Sequence, residues 1–305
     1  MPPVLSIVIV SWNTRELLRK CLESVQAESA ALGAGRVETI VVDNASTDAT
    51  PAMLRRAFPD VELIEPQRNL GFAAANNLGI GRAAGRYILL LNPDTEVHPG
   101  SLAILVGFMD SQPQAGAAGA RLVNPDGSPQ ASASPTPTLL GEVWRLFHLG
   151  DFGRRASYPL QTWDYDKVYA VDVVQGASLL VRAEALEQVG LLDEGYFMYT
   201  EEVDLCYRLR KAGWGVFWVP RSTVLHYGGQ STRQASAEMF LRLYESKIRF
   251  FRKHRGRTVA LAYKAILILA AVPRVLLGRM TGSGEAGAAR IAPNYLQLLR
   301  ALPSL

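Results

Sequence analysis

The chain opens with the segment VLSIVIVSWN, residues 4–13, in which a β-branched apolar run ends at the polar pair Trp12-Asn13. A continuous apolar run of this length predicts a strand that is buried on both faces of a sheet. The residues from Thr14 to about Glu28 then carry apolar side chains at helical spacing. A buried strand followed by a helix is the repeating unit of an α/β fold.

The strand and helix pattern repeats along the first third of the chain. Further apolar strands are predicted at Val37–Val42, Val61–Ile64 and Tyr87–Leu91, with helical segments between them. This order predicts an α/β fold with a mostly parallel sheet flanked by helices, and ligands bind such sheets beyond the carboxyl ends of the strands. The polar residues at those ends are Trp12-Asn13, Asp43-Asn44 and Asn92-Pro93-Asp94.

The acids at the strand ends indicate the class of ligand. The first strand is not followed by the G-x-G-x-x-G pattern of dinucleotide-binding folds, and the G-x-x-x-x-G-K-[ST] pattern of P-loop enzymes is absent. Instead Asp43 and Asp94 end two strands at one edge, where a carboxylate accepts a hydrogen bond from a base or ribose. A second carboxylate would repel a diphosphate unless a divalent cation lay between them. The alternative is that each aspartate is only a turn residue.

A second group of polar residues lies in FMYTEEVD, residues 197–204, and in HYGGQS, which begins at His226. Glu201, Glu202 and Asp204 are expected at the start of a helix, where acids also suit the helix dipole. A carboxylate cluster this dense, followed by a lone histidine, indicates a general base or a cation site. With the acids at the strand ends, it predicts a site for a nucleoside diphosphate and a metal ion.

Composition and the N-terminal sequence limit the class of protein and its cellular compartment. With 305 residues and 49% hydrophobic content, the chain is long enough for one large domain and an appendage. The net charge is only +4, so the pI of 9.1 does not indicate a nucleic-acid partner. Cys21 and Cys206 lack the spacing of metal ligands and predict buried thiols in a reducing compartment. The N-terminus shows neither a basic region nor a cleavage site, so we expect a cytoplasmic protein.

Five blocks of sequence occur in one order: SIVIVSWN, VVDNASTD, NLGFAAANNLGI, YILLLNPD and QGASLLVRAEALEQVGLLDEGYFMYTEEVDLCYRLRKAGW, with HYGGQST after the last. Together they resemble the family 2 glycosyltransferases, particularly bacterial rhamnosyltransferase-like members, from about residue 4 to about residue 235. The resemblance implies the GT-A fold, a nucleoside-diphosphate-sugar donor, a divalent metal and inversion at the anomeric carbon.

The resemblance also implies roles for individual residues. Asp43 matches the aspartate that contacts the nucleotide base. Asn92-Pro93-Asp94 stands in place of the D-x-D motif, which leaves Asp94 as the main carboxylate for the metal and the diphosphate. Glu202 stands where the family has its catalytic base. His226 resembles a further ligand of the metal, for which Mg²⁺ or Mn²⁺ is expected.

The predicted substrate contacts lie at the strand ends and in the sequence blocks that carry the resemblance: Trp12, Asn13, Asp43, Asn44, Asn69, Gly71, Asn77, Asn92, Asp94, Gly176, Glu201 and Asp204. A single displacement with one base inverts the anomeric carbon. A retaining enzyme would need a carboxylate nucleophile at the sugar, and Glu201 and Asp204 are available for that role. Inversion is therefore implied mainly by the resemblance.

Residues 1–240 are predicted to form the GT-A catalytic domain, with a nucleotide-sugar-binding half at 1–112 and an acceptor-binding half at 113–240. Within the second half, the Pro- and Ser-rich run at 125–137 predicts an exposed loop. The aromatic side chains of 144–169 either pack under that loop or form a lid that stacks on the acceptor.

Residues 241–305 are predicted to form a basic amphipathic tail. On one helical wheel these residues form two opposite faces. One face contains Lys253, Arg257, Lys264 and Ala271, and the other contains Val259, Ile266 and Leu277. A basic amphipathic helix lies in the interface of an anionic membrane. Lys264, Pro273 and Arg274 interrupt the apolar run that a membrane span needs. Packing on the catalytic domain or a contact in a homodimer is the alternative.

The sequence therefore predicts an inverting, metal-dependent glycosyltransferase, peripheral on the inner face of the cell membrane. The expected donor is dTDP-rhamnose or a UDP-hexose, and the expected acceptor is a saccharide or a polyprenyl-linked saccharide of the cell envelope. A sugar nucleotidylyltransferase would need a Gly- and Arg-rich loop where this chain has SWNTRELL. A non-catalytic carbohydrate-binding membrane protein is disfavoured because the predicted donor, base and metal residues are all present.

Overall fold

The computed structural model describes residues 2–33, 35–147, 157–229, 236–280 and 287–305. The strands in these residues are β1 Leu5–Ser11, β2 Val37–Asp43, β3 Glu62–Ile64, β4 Tyr87–Leu91, β5 Thr95–Val97, β6 Ala115–Val123, β7 Ala133–Ser134, β8 Tyr169–Ala170, β9 Val173–Val174, β10 Ser178–Arg182 and β11 Gly215–His226. The helices are α1 Arg15–Leu32, α2 Thr50–Ala57, α3 Phe72–Ile80, α4 Ser101–Ser111, α5 Leu139–Leu146, α6 Ala183–Val189, α7 Glu201–Lys211, α8 Ser236–Arg255, α9 Arg257–Met280 and α10 Gly287–Ala301.

One sheet of nine strands has the order β3-β2-β1-β4-β10-β6-β11-β5, with β8 paired to β11. The first four strands run parallel, with Ser11 opposite Asp43 and Ile9 opposite Leu91. The strand ends that were predicted to bind the ligand therefore meet at one edge. The predicted α/β fold is confirmed, and the antiparallel strand β10, between β4 and β6, makes the whole sheet mixed.

The central strands are buried on both faces because their side chains alternate between two apolar layers. Ile7 and Ile9 of β1 belong to the layer that contains Leu18 of α1. Val8 belongs to the opposite layer, which contains Leu205 of α7. A fully buried side chain of this size contributes about 1.5–3 kcal/mol relative to an exposed one. Burial of both faces explains why these strands have continuous apolar sequences.

The described residues form two compact units. The first unit contains the nine-stranded sheet and takes the described residues of Met1–Thr136, Tyr158–Phe197 and Glu201–Gln234. The second unit takes those of Pro137–Ser157, Met198–Thr200 and Ala235–Leu305. The division of the catalytic domain into a donor half and an acceptor half stays a prediction.

A buried carboxylate connects the helices of the second unit. Glu142 of α5 is 4% exposed and accepts a hydrogen bond from the Tyr263 hydroxyl of α9 at 2.9 Å. It also pairs with Arg145 and with Lys247 of α8, whose Nζ lies 3.3 Å from Glu142 Oε2. Burial lowers the pKa of Lys247 to about 8. Removal of Glu142 would leave the Lys247 charge buried without its partner.

The tail differs from the predicted amphipathic helix. Gly256 has a φ of 89° and separates α8 from α9, so Lys253 and Arg257 lie on different helices and one helical wheel cannot describe both. Ala271, predicted on the basic face, is fully buried. Between residues 258 and 276 of α9, the large exposed side chains are apolar and form what we call the apolar stripe: Leu261, Ile268, Leu269, Val272 and Leu276.

Candidate active site

The loops after β1 and β2 are joined by hydrogen bonds from Asn13. Its backbone N–H donates to Ser46 Oγ at 2.9 Å, and its Oδ1 accepts from the Thr47 N–H at 2.7 Å. Asn13 has a φ of 52°, which asparagine tolerates better than most residues. The side chain of Trp12, at the end of β1, is partly exposed. Asn13 therefore shapes the edge of the site.

Asp43 presents a buried oxygen that lacks a partner in the described part of the chain. The residue is 2% exposed, and its Oδ2 accepts a hydrogen bond from the Ser46 N–H at 3.1 Å. Its Oδ1 is buried without a hydrogen bond. Burial raises the pKa of this carboxyl above its usual value. An unsatisfied buried acceptor costs about 1–3 kcal/mol, which indicates a place for a donor group of a ligand.

Three of the predicted substrate contacts hydrogen-bond to one another. Asn44 Nδ2 donates to Asn69 Oδ1 at 2.9 Å, and the same oxygen accepts from the Gly71 N–H at 2.9 Å. Asn44 Oδ1 accepts from the Leu70 N–H at 2.9 Å. The two asparagine side chains thus hold the loop that leads into α3.

Gly71 allows this loop to contact the segment before α7. It has a φ of 82°, and a Cβ atom on it would lie 2.4 Å from the Phe197 carbonyl oxygen. The Phe72 N–H donates to that oxygen at 2.7 Å. Asn77 of α3 makes a second connection, since its Nδ2 donates to the Leu192 carbonyl at 2.9 Å. Gly71 and Asn77 therefore position the segment that carries the acidic helix.

The backbone is strained where α7 begins. Tyr199 and Thr200 have φ values of 68° and 72°, in the left-handed region. A β-branched residue such as Thr200 is rarely found there, and each such residue costs on the order of 1–3 kcal/mol. This left-handed pair comes directly before Glu201, the first residue of the helix.

Asp204 is paired with an arginine. It is fully buried, and Arg208 Nε donates to its Oδ2 at 2.7 Å. Arg208 in turn donates to the carbonyl oxygens of Val189, Gly190 and Leu191 at 2.6–2.9 Å. Contact between a substrate and the Asp204 carboxylate would require this ion pair to break. The structure therefore gives Asp204 a part in holding the end of α6.

Glu201 and Glu202 have different environments. Glu201 is 5% exposed, and burial together with the negative charge of Glu202 raises its pKa well above the usual value. Glu202 is partly exposed, and a Cβ atom built on Gly176 would lie 3.7 Å from the Cβ of Glu202. The missing side chain at Gly176 thus leaves space beside Glu202. Glu202 is the more exposed member of the pair, although its Oε2 atom is buried.

Asp94 and His226 lie side by side at the same edge of the sheet. The pairing of β11 with β5 sets His226 opposite Thr95, and His226 Nε2 lies 3.3 Å from Asp94 Oδ1. Asn92 Nδ2 lies 3.3 Å from the same ring nitrogen. Within the described ranges, no group of three or more His, Cys, Asp or Glu side chains is placed to hold a metal ion. The candidate ligands at this edge are therefore one carboxylate and one imidazole.

This pair fits a divalent cation. Two ligands of one octahedral ion with bonds of about 2.1 Å lie roughly 3 Å apart, close to the spacing of Asp94 Oδ1 and His226 Nε2. Without a shared cation or proton, a carboxylate oxygen and an imidazole lone pair at this distance repel each other. Mg²⁺ sites typically combine one or two protein ligands with water and substrate phosphates.

Four of the aromatic residues that follow the loop at 125–137 pack together. Tyr158, Trp163, Tyr165 and Tyr169 form a cluster with the buried Trp218, and the Trp163 and Tyr169 rings stack with centroids 4.3 Å apart. This arrangement is hydrophobic packing. Phe152, and Gln230 and Ser231 of HYGGQS, lie outside the described residues.

Sequence reasoning missed one residue of the site. Gln130 Oε1 lies 2.6 Å from His226 Nδ1, on the opposite side of the ring from Asp94. The only sequence signal was the turn-forming segment NPDGS directly before it, residues 124–128. That segment predicts a turn but not which side chain the turn presents.

The mixed sheet, the unsatisfied aspartate at its edge and the adjacent carboxylate and imidazole define an enzyme of the nucleotide-binding α/β class. Residues 6–171 match the family described as glycosyl transferase family 2. N-acetylglucosaminyl-diphospho-decaprenol L-rhamnosyltransferase of Mycobacterium tuberculosis is 34% identical over 84% of this chain and 87% of its own. Rhamnosyltransferase WbbL of Escherichia coli K12 is 25% identical over 82% and 93%.

Solved structures show the same fold. Mannosyltransferase PcManGT from Pyrobaculum calidifontis, in complex with GDP-Man and Mn²⁺, superposes with a TM-score of 0.61 at 18% identity, over 99% of this chain and 81% of its own. The chain belongs to glycosyl transferase family 2. The predicted GT-A fold, glycosyltransferase activity and rhamnosyltransferase-like resemblance are thereby confirmed.

Proposed function

We propose that this chain transfers a sugar, with inversion, from a nucleoside-diphosphate sugar to a polyprenyl-linked saccharide in a divalent-metal-dependent reaction. dTDP-rhamnose is the first candidate donor, and a UDP-hexose is the second. The observation that carries the proposal is the 3.3 Å approach of Asp94 to His226, at the sheet edge where Asp43 lacks a partner for one buried oxygen. The rhamnosyltransferase named above, which by its name acts on N-acetylglucosaminyl-diphospho-decaprenol, supports the choice of sugar and acceptor.

Different residues would bind the base and the diphosphate of the donor. Asp43 Oδ1 accepts a hydrogen bond from an N–H of the base, which satisfies the buried oxygen. Asp94 and His226 would hold Mg²⁺ or Mn²⁺ on the diphosphate, and the ion neutralises the charge that develops on the leaving group. Relatives of known structure bind Mn²⁺ with a nucleotide or a nucleotide sugar, which supports a divalent ion here.

The acceptor hydroxyl requires a base on the other side of the sugar. Glu202 has the exposure for that role, and the space beside Gly176 allows an acceptor to approach it. A neighbouring carboxyl that stays protonated does not compete as a base, and the raised pKa of Glu201 has this effect. Glu201 is buried and Asp204 is ion-paired, so neither supports the nucleophile of a retaining mechanism.

Stabilisation by ligands tests the donor site. UDP and dTDP should raise the melting temperature more with Mn²⁺ than with a chelator. The ion would strengthen nucleotide binding, and a ligand that binds only the folded state stabilises the folded state. The matched variant is Asp94→Asn, which keeps the size of the side chain and removes its charge, and which should lose the metal-dependent part. Equal stabilisation with metal and with chelator would rule out a metal-bridged diphosphate. Product analysis with dTDP-rhamnose and UDP-hexoses then identifies the donor.

We further propose that the tail attaches the protein to the cytoplasmic face of an anionic membrane. The apolar stripe extends from Leu261 to Leu276, about 22 Å along the helix. Four basic residues precede it: Arg252, Lys253, Arg255 and Arg257. Basic side chains near anionic lipid contribute roughly 1 kcal/mol each. Within the described residues, one helical stretch, Arg257–Leu276, is also long and apolar enough to span a bilayer, with a mean hydropathy of 1.9.

Sedimentation with liposomes separates these arrangements. The full chain should bind anionic vesicles, and Leu261→Glu with Leu269→Glu should abolish binding because both side chains are more than 60% exposed in the stripe. Leu78→Glu, an exposed leucine of the sheet unit, is the matched control and should bind normally. Resistance of the bound protein to high salt and alkaline carbonate would show a spanning helix instead. Failure to bind at low salt would refute membrane attachment.

A further inference from the structure

The turn after β6 holds a chain of hydrogen bonds that ends at His226. Gly127, with a φ of 80°, closes the turn, and its N–H donates to the Asn124 carbonyl at 2.8 Å. The Asn124 N–H donates to the Ser128 carbonyl at 2.9 Å, and the Gln130 N–H donates to the Leu122 carbonyl at 2.9 Å. Backbone bonds therefore fix where the side chains of this turn point.

The donor and acceptor of each of these hydrogen bonds can be assigned in order, beginning with Asp126. Asp126 accepts from the Ser128 hydroxyl at 2.6 Å, and the hydroxyl and N–H of Ser128 lower the pKa of Asp126, so its carboxyl is ionised and cannot donate. Since the Ser128 hydroxyl gives its hydrogen to Asp126, its oxygen accepts from Asn124 Nδ2 at 2.9 Å. Asn124 is left with its Oδ1 as an acceptor.

The orientation of the Gln130 amide follows from this. Gln130 Nε2 donates to Asn124 Oδ1 at 2.9 Å and to the His226 carbonyl at 3.3 Å. The other atom of the amide, Oε1, therefore faces His226 Nδ1 at 2.6 Å. A carbonyl oxygen only accepts, so Nδ1 carries the hydrogen of the ring.

The Asn92 amide, on the other side of the ring, favours the same tautomer. Asn92 Nδ2 is a donor, and it lies 3.3 Å from His226 Nε2, which must then be the nitrogen with the lone pair. Asp94 lies 3.3 Å from that nitrogen. Two independent neighbours, Gln130 and Asn92, thus favour one arrangement of the imidazole.

We propose that Gln130 is a positioning residue that holds His226 as the Nδ1–H tautomer, with the Nε2 lone pair directed to the cation site at Asp94. The proposal deepens the proposed function, since it concerns the metal site of that function. A hydrogen bond to the distal nitrogen of a ligating histidine sets its tautomer, and loss of such a partner typically lowers metal affinity by about 10–100-fold.

The tautomer is measured on the metal-free, full-length protein by long-range ¹H–¹⁵N correlation spectra of the four histidines, with the His226 signals assigned from a His226→Gln variant. The wild-type ring should show a protonated Nδ1 and a bare Nε2. Gln130→Met, of similar shape and without an acceptor oxygen, should shift the ring toward the Nε2–H form. Gln114→Met, the same change at an exposed glutamine, should leave it unchanged.

Affinity for Mn²⁺ in the presence of UDP or dTDP, measured from the spin-resonance signal of the free ion, is the second readout. Gln130→Met should weaken it about 10–100-fold, and Gln114→Met should not change it. A wild-type ring with a bare Nδ1, or a Gln130→Met ring that keeps the Nδ1–H form, overturns the proposal. A wild-type protein with the Nδ1–H form that ignores Mn²⁺ supports the tautomer assignment and overturns the metal site alone.

Discussion

Replacement of Glu202 by glutamine is the sharpest test of the chemistry proposed here. The change keeps the size of a partly exposed side chain beside Gly176 and removes its ability to take a proton. In the proposed site, donor binding depends on Asp43, Asp94 and His226 at the strand ends, so the Glu202 variant should bind the donor normally. The step that depends on the base should slow.

The expected loss is large enough to measure. A positioned general base contributes typically about 10²–10⁴-fold in rate. At about 1.36 kcal/mol for each tenfold change, this corresponds to roughly 2.7–5.5 kcal/mol of transition-state stabilisation. Because the base acts only in the transition state, kcat should fall by this factor while the KM for the donor stays within a few-fold.

Glu201→Gln is the matched control, one residue away on the same helix. Burial and the charge of Glu202 raise the pKa of Glu201 and so favour its protonated form, for which the amide is a neutral replacement of nearly the same shape. We expect less than a tenfold loss of transfer from this variant. Rates are followed as release of the nucleoside diphosphate with a saturating lipid-linked acceptor, and donor binding is followed separately by calorimetry with Mn²⁺.

Two outcomes would refute the assignment. Transfer by Glu202→Gln at more than a tenth of the wild-type rate would show that Glu202 is not the base. A greater loss from Glu201→Gln than from Glu202→Gln would move the role to the buried carboxyl. Parallel loss of donor binding in both variants would instead indicate damage to the start of α7, where Tyr199 and Thr200 hold left-handed backbone.

Three other changes have directions that follow from the structure. Asp43→Ala should weaken binding of UDP or dTDP by calorimetry equally with and without metal, because it removes the acceptor for the base; a loss confined to the metal-loaded protein would contradict that role. Folded Glu201 has a pKa above the usual 4.5, so the unfolded chain loses this proton first and stability falls as pH rises above that value. Glu201→Gln should therefore flatten the decline of the melting temperature with pH, and an unchanged slope would contradict the raised pKa. Glu142→Ala should destabilise the second unit by about 3–5 kcal/mol in denaturant titration, because Lys247 loses its buried partner; a cost below about 1 kcal/mol would show that the pair is dispensable.

The sheet edge was predictable from the sequence because periodicity and polarity agree there. β1, β2 and β4 each contain a run of apolar residues, and each strand ends within two residues of Trp12, Asp43 or Asn92. Parallel pairing alone then brings those ends together, without knowledge of any side-chain contact. Identification of Glu202 and His226 required the family resemblance, since neither periodicity nor charge distinguishes them from other helix-start acids or a core histidine.

The tail illustrates where the sequence was misleading. A helical wheel assumes one continuous helix, and Gly256 interrupts it with a left-handed backbone. The rotation of α9 was then decided by packing, which buries Tyr263 and Ala271 and leaves Leu261 and Leu269 exposed. Apolar residues surround most of this helix, so the sequence did not specify which of them would face outward.

Asn92 occupies the position of the first aspartate of the D-x-D motif, and electrostatics explains why an asparagine suits this position. The Asn92 amide donates toward the lone pair of His226 Nε2 at 3.3 Å, whereas an aspartate would set a second carboxylate against that lone pair and against Asp94. With Asn92, the proposed site would bring one carboxylate and one imidazole to a divalent cation. The donor diphosphate would then balance the remaining positive charge. An asparagine at this position would therefore weaken the site for a free metal ion and link metal binding to donor binding.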